Sequence, residues 1–295
     1  MNISKIIETE YENIQSHKID KTIIPDNKII TKLRKSYEKI LHMTGKIPGN
    51  CSPTFEEDYE KNMQKFAKKV KSIPYTQRDI TDFCLVLQEY KNERGFLKTA
   101  FFISALFHAD YLNRKKYEEP YLLLLDNLPP LDNLCAFMKD QKTIIQGDLG
   151  SLIGYSATNA EITINGKAED FLGAKSKNTT IILNGNAKNL AGQGIDRGYL
   201  RINGNVGEYA GLSMENGYII ICGNAGHYLG ERMSNGIIVL KGESKMRNTL
   251  FSVGDYMTGG TIIIEGNTVI NQEELLYGGI VICDKIKRVY RKIIK

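Results

Sequence analysis

A chain of 295 residues with 42% hydrophobic and 25% charged side chains is long enough to fold as two domains, each with a core of its own. Its net charge of +5 is unevenly spread: residues 1–140 carry 22 basic and 20 acidic side chains, residues 141–284 carry 11 and 14, and residues 285–295 carry six and none. A basic balance confined to the tail argues against a broad nucleic-acid-binding face, and five scattered cysteines without a C-x-x-C pair suggest neither a disulfide framework nor a thiolate zinc site.

Residues 1–140 read as a helical domain, with few glycines and apolar residues at spacings of three and four. Ile3, Ile6 and Ile7 open a short amphipathic segment. A second runs from about Asn27 to Met43 and places Ile29, Ile30, Leu33, Tyr37, Ile40 and Leu41 on one side. Thr54 with Glu57, and Thr76 with Asp79, have the spacing of capping boxes. They predict one helix ending near Val70 and another reaching Gly95. Phe96 to Leu112 is the most apolar helix and the expected centre of this domain. The run Thr99–Ala109 is too short to span a bilayer, and the N-terminus lacks the apolar core of a signal peptide. A cytoplasmic protein with no membrane attachment is expected.

From residue 141 glycine recurs at a fixed interval. Gly147, Gly166, Gly185, Gly204, Gly223 and Gly242 are 19 residues apart, and so are Gly154, Gly173, Gly192, Gly211 and Gly230. A period of about 20 residues marks a stack of coils. Four and two positions before the first glycine stand aliphatic columns that end in Ile262 and Ile264, with Ile280 and Ile282 as an eighth member and Asp284 in the place of the glycine. Strand side chains alternate faces, so both columns point inward from one short parallel strand per coil. Columns two, five and ten positions after the glycine are expected to supply the other inner walls, the middle one being Leu152, Phe171, Leu190, Tyr209 and Tyr228. The fold class is therefore α+β: a helical domain, then over residues 141–284 a right-handed parallel β-helix of about seven to eight coils, on the order of 35 Å long. The basic tail 285–295 follows.

Gly204-x-x-Gly207-x-x-x-Gly211, its repeat from Gly223 and the set Gly147, Gly150 and Gly154 form a G-x-x-G-x-x-x-G motif, with Glu169 and Lys188 replacing the middle glycine in two coils. This half resembles the C-terminal β-helical domain of glutamate synthase large subunits, and also the β-helical subunit of formylmethanofuran dehydrogenase. The resemblance implies a structural or accessory role, with chemistry left to other domains or subunits. No N-terminal cysteine, flavin barrel or iron–sulfur cysteine cluster accompanies it here. The helical half has no counterpart in either family.

The position between the two inward columns should face outward, yet it holds Ile144, Ile182, Ile220, Val239, Ile263 and Val281. Such a stripe needs a cover, supplied either by the helical domain lying across it or by a partner. Met246, Arg247, Phe251 and Tyr256 belong to a second candidate interface, a five-residue insertion after Gly242. Asn165, Asn184 and Asn203 form a column suited to amide stacking, and Glu208/His227 and Asp196/Glu215 form stacked charged pairs. A carbohydrate-active enzyme built on such charges is the remote alternative. The tail reads as a cap on the open end, or as the one place where nucleic acid or an acidic partner could bind. The leading expectation is a non-catalytic scaffold or subunit-interaction protein without cofactor or metal, bound to a protein partner or to copies of itself. An accessory subunit of a redox enzyme is the alternative.

Overall fold

The computed structural model describes residues 27–42, 55–113, 119–242, 251–272 and 277–291. The expected segment at Ile3–Ile7, the Thr54 cap, Met246, Arg247 and the last four residues of the tail lie outside them.

Helix α1 (Lys28–Leu41) starts at Asn27, whose side chain accepts the N–H groups of Ile29 and Ile30 at 2.8 and 2.9 Å. Its buried stripe is Ile30, Leu33, Tyr37, Ile40 and Leu41. Helix α2 (Phe55–Val70) ends where the sequence predicts. Helix α3 (Gln77–Val86) opens with the predicted capping box: Thr76 Oγ1 accepts from Asp79 N at 3.2 Å, and Asp79 Oδ2 accepts from Thr76 N at 2.7 Å. It stops well short of Gly95. The N–H of Leu87 is shared between the carbonyls of Phe83 and Leu85, and the chain tightens into a 3-10 turn over Leu87–Glu89. Helix α4 (Thr99–Asn113) follows a 3-10 turn at Phe96–Lys98 and has Phe101, Phe102, Leu106 and Phe107 buried.

Tyr37 sits edge-on to Phe83 and Tyr90, and its hydroxyl hydrogen-bonds to Thr99 Oγ1 at 2.6 Å. Burial pushes the Tyr37 phenol up to about 12 and the Cys84 thiol also up to about 12. Both groups stay protonated in the native state after they have ionised in the unfolded chain. Their contribution is therefore intact below about pH 9, where an exposed thiol begins to ionise, and is lost as pH rises towards 12. Urea midpoints should fall over that window by an amount equivalent to roughly 1.4 kcal/mol per pH unit for each group. A flat profile between pH 9 and 12 would contradict the burial of both.

The sheet contains β1 (Tyr121–Leu124), β2 (Lys142–Gln146), β3 (Glu161–Asn165), β4 (Thr180–Leu183), β5 (Gly198–Ile202), β6 (Gly217–Ile221), β7 (Ile237–Leu240), β9 (Thr261–Gln272) and β10 (Ile280–Arg291), in that order and all parallel. The short β8 (Phe251–Ser252) pairs with Ile270 and Asn271 of β9. From β2 to β7 the partners are 19 residues apart, so the chain is a parallel β-solenoid. The ladder begins one coil before residue 141. Tyr121 pairs with Thr143, and the left-handed residues Asn133, Cys135, Phe137 and Asp140 repeat those at Leu152, Gly154, Ser156 and Asn159.

The two predicted aliphatic columns are buried from β2 through β9. At the last coil the assignment shifts by one residue. Val281 pairs with Ile262 and Cys283 with Ile264, so these two residues continue the interior, and both pack against the core. Ile280 and Ile282 face outward, 58% and 45% exposed. In a strand, a one-residue slip exchanges the two faces. The column five past the glycine also departs from expectation. Leu152, Phe171, Leu190, Tyr209 and Tyr228 have φ between 60° and 64°, which breaks the alternation, and all but Leu152 are half-exposed. The inner wall there is the next residue in each coil: Ile153, Leu172, Ala191, Ala210 and Leu229.

The two glycine series serve different ends. A Cβ on Gly185 would lie 1.9 Å from the carbonyl oxygen of Gly166, its equivalent one coil earlier, so the first series allows coils to approach backbone to backbone. Gly192 stands for the second series: its φ is +70°, where the left-handed backbone favours glycine.

The helical domain closes the first end of this stack. Thr81 and Gln88 donate to the carbonyls of Leu122 and Asp126 at 2.7 and 2.8 Å, on the side of β1 away from β2. Tyr59 donates to the carbonyl of Asn133 at 3.1 Å, and Gln141 donates to that of Phe107 at 2.7 Å. Among the described elements, β1 is the strand on which a helix is seated. The helices therefore sit at an end of the solenoid, and the expected cover along its outer stripe is not formed by them.

Candidate interaction face

The outward side of the sheet carries two columns. Lys142, Glu161, Thr180, Tyr199, Tyr218, Ile237, Thr261 and Ile280 form one; Leu122, Ile144, Thr163, Ile182, Arg201, Ile220, Val239, Ile263 and Ile282 form the other. Polarity changes along them. In the first coils Lys142 pairs with Glu161 at 3.0 Å, and Arg201 Nε donates to Asn203 Oδ1 at 2.7 Å. Ile144 and Ile182 are each 7% exposed, so they are not part of an accessible stripe. Ile182 stands in the ladder between Thr163 and Arg201, and side chains at the inter-strand spacing of about 4.8 Å cover one another.

From β6 onward the face is mainly apolar, Thr261 being the polar exception in its two columns. Tyr218 is 53% exposed, and Ile220, Ile237, Val239 and Ile263 are half-buried beside it. Ile280 and Ile282 complete the patch, which does not include Val281. Three of the six stripe residues read from the sequence thus belong to this patch: Ile220, Val239 and Ile263. Tyr218, Ile237, Ile280 and Ile282 were missed. Tyr218 and Ile237 lie one column over, on the same face, and alternation alone could have found them. Ile280 and Ile282 required the register of the last coil.

Of the insertion, residues 243–250 lie outside the described residues, and Phe251 and Tyr256 are not on this face. Leu229 bridges to Val253, so the five extra residues lie between Gly242 and Val253, and the 19-residue rule resumes afterwards. Phe251 lies in β8, away from the outer face. Tyr256 is at a corner with φ 57°, with the Arg232 guanidinium 5.9 Å from its ring and Tyr277 stacked at 6.5 Å.

Asparagine and aspartate ladders staple the coils together. The expected one is present: Asn184 and Asn203 each donate to the amide oxygen of the preceding asparagine at 2.6 Å, and Cys222 Sγ lies 3.4 Å from Asn203 Oδ1. Three more were not anticipated. Asn186 and Asn205 accept the backbone N–H of the residue 19 positions on, at 2.8 Å. Asp132, Asp170 and Asn189 do the same at 2.7, 2.9 and 2.9 Å. Asn159 and Asn178 donate to the Asx residue one coil earlier. Where the middle glycine of the motif is replaced, Lys188 forms an ion pair with Glu169 in the neighbouring coil.

Of the stacked charged residues read from the sequence, Asp196, Glu208 and His227 have local contacts. Asp196 is paired with its neighbour Arg197 at 3.0 Å, and Glu231 with Arg232 at 3.5 Å. The backbone N–H of Glu208 is tied to Asn189 Oδ1 at 2.9 Å, and His227 lies 5.9 Å from the Tyr228 ring. A crevice between α4 and the first coil is lined by His108, Tyr111, Cys135, Lys139 and Gln141. Burial raises the Cys135 thiol far above its ordinary range, so it is not poised as a nucleophile. Among the described residues no group of three or more His, Cys, Asp or Glu side chains could hold a metal ion, and no helix is long and apolar enough to cross a membrane. Comparisons with protein-family models, with curated proteins and with solved structures return no match.

Proposed function

We propose that this protein is a non-catalytic scaffold whose β-solenoid presents an interaction face for another protein or for a second copy of itself. The observation that carries the reading is the change in the outer sheet face from ion-paired and polar to exposed and apolar at Tyr218. A patch of this kind, on a parallel sheet and not covered by the described helices, is the usual mark of a protein contact. The resemblance to β-helical accessory domains is in keeping with that role.

The test is the native mass. The purified assembly should exceed the 33.3 kDa of one chain. The double variant Tyr218→Asp, Ile220→Asp should reduce it to that mass while the melting temperature stays within about 3 °C of the parent. A parent protein that already runs as a lone monomer from its own cells would sink the proposal.

A further inference from the structure

The solenoid treats its two ends differently. On the side of β1 that faces away from β2, the carbonyl of Leu122 receives Thr81, and that of Asp126 beyond it receives Gln88, so helix α3 and the 3-10 turn after it shield the first edge. At the other end, β10 is the last strand of the sheet order, and among the described elements none is packed beyond it. It is long, pairing with β9 over the whole stretch from Ile280 to Arg291 with two register shifts. In a parallel ladder alternate peptide groups point to opposite neighbours, so half of those in β10 face away from β9. An edge of this length is a template for another strand.

Its chemistry selects the occupant. The strand begins with Ile280 and Ile282, exposed on the apolar face, and continues through Lys285, Lys287, Arg288 and Arg291 against a single acidic residue, Asp284. A second copy pairing through the same edge would bring two such basic strands together, which is unfavourable. The helices seated on β1 prevent a copy from stacking its first coil on this end. We infer that β10 receives an extended segment of a partner protein, apolar where it passes Ile280 and Ile282 and acidic where it passes Lys285 to Arg291. Such a segment would add one more parallel strand to the solenoid. The inference deepens the scaffold reading by naming the class of partner, and it rests on that reading.

The full chain is titrated into a fluorescent synthetic peptide of about twelve residues, threonine–valine alternating in its first half and glutamate–valine in its second. Anisotropy should rise, and affinity should fall about tenfold from low to high salt. The same peptide N-methylated at alternate residues, which cannot form ladder hydrogen bonds, should not bind. The variant Lys285→Glu, Arg288→Glu should bind at least about tenfold more weakly, with Lys285→Gln, Arg288→Gln used if the first does not melt like the parent. Equal binding of the methylated peptide overturns the inference, as does equal or tighter binding of a thymidine oligonucleotide, or self-association that the charge variant abolishes. The Tyr218→Asp, Ile220→Asp variant should still bind the peptide. A chain that ignores the peptide but loses its native assembly in that variant keeps the face and loses the edge; the reverse result loses the face alone.

Discussion

Gly185→Ala is expected to destabilise the protein by about 3–5 kcal/mol, among the largest effects of a single methyl group. The added Cβ would sit 1.9 Å from the Gly166 carbonyl oxygen, and the neighbouring backbone is held by ladders on both sides. No side-chain rotation relieves such a contact, so adjacent coils must separate. Gly192→Ala is the internal comparison. Its Cβ meets the tip of Ile219 at 2.7 Å, which can yield, and the remaining cost is a left-handed alanine, about 1–2 kcal/mol. Urea midpoints of the two variants check the order. If Gly185→Ala were the milder change, close backbone approach would not be what the first glycine series provides.

Tyr59→Ala should cost about 3–5 kcal/mol and should weaken both halves of the molecule together. The ring is fully buried between Phe101 at 5.3 Å and Phe137 at 5.4 Å, and its hydroxyl satisfies the Asn133 carbonyl. Helix α2 is thereby bonded to the first coil. Tyr59→Phe keeps the packing and removes that hydrogen bond while the Ala136 N–H still serves the Asn133 carbonyl at 3.2 Å, for roughly 0.5–1.5 kcal/mol. Circular dichroism at a helix-weighted wavelength and hydrogen exchange in β2 should report one shifted transition. Loss of α2 with β2 unchanged would show that the helical domain is only loosely attached.

Much of the solenoid was legible because its signal is steric and periodic: inter-coil contact demands glycine, and a stacked interior demands aliphatics at one register. The first coil was hidden for the same reason. Leu125 and Cys135 occupy its glycine positions, and the spacing from β1 to its corner is longer by three residues, in a segment containing Pro129 and Pro130. The last coil was misread at Val281 because Ile280 and Ile282 are more hydrophobic than Val281 and Cys283, and composition outweighed the interval. The outward swing of Phe171 and Tyr209 arises from a backbone sign that side-chain patterns do not record. The interaction face was visible as one column, but its limits depend on which ladder neighbours shield Ile144 and Ile182.

The constant register from β2 to β7 bears on how such a protein can change. Asn186 and Asn205 occupy equivalent sites, as do Gly185 and Gly204, and each ladder contact depends only on the occupant of the same site one coil away. A gain or loss of 19 residues at any shared position therefore rejoins every column in phase. The distance between the helical end and the basic edge becomes a quantised length, adjustable in steps of about 4.8 Å without redesign of either end. The coils act as a molecular ruler, and what they set is the separation between the two termini of the rod.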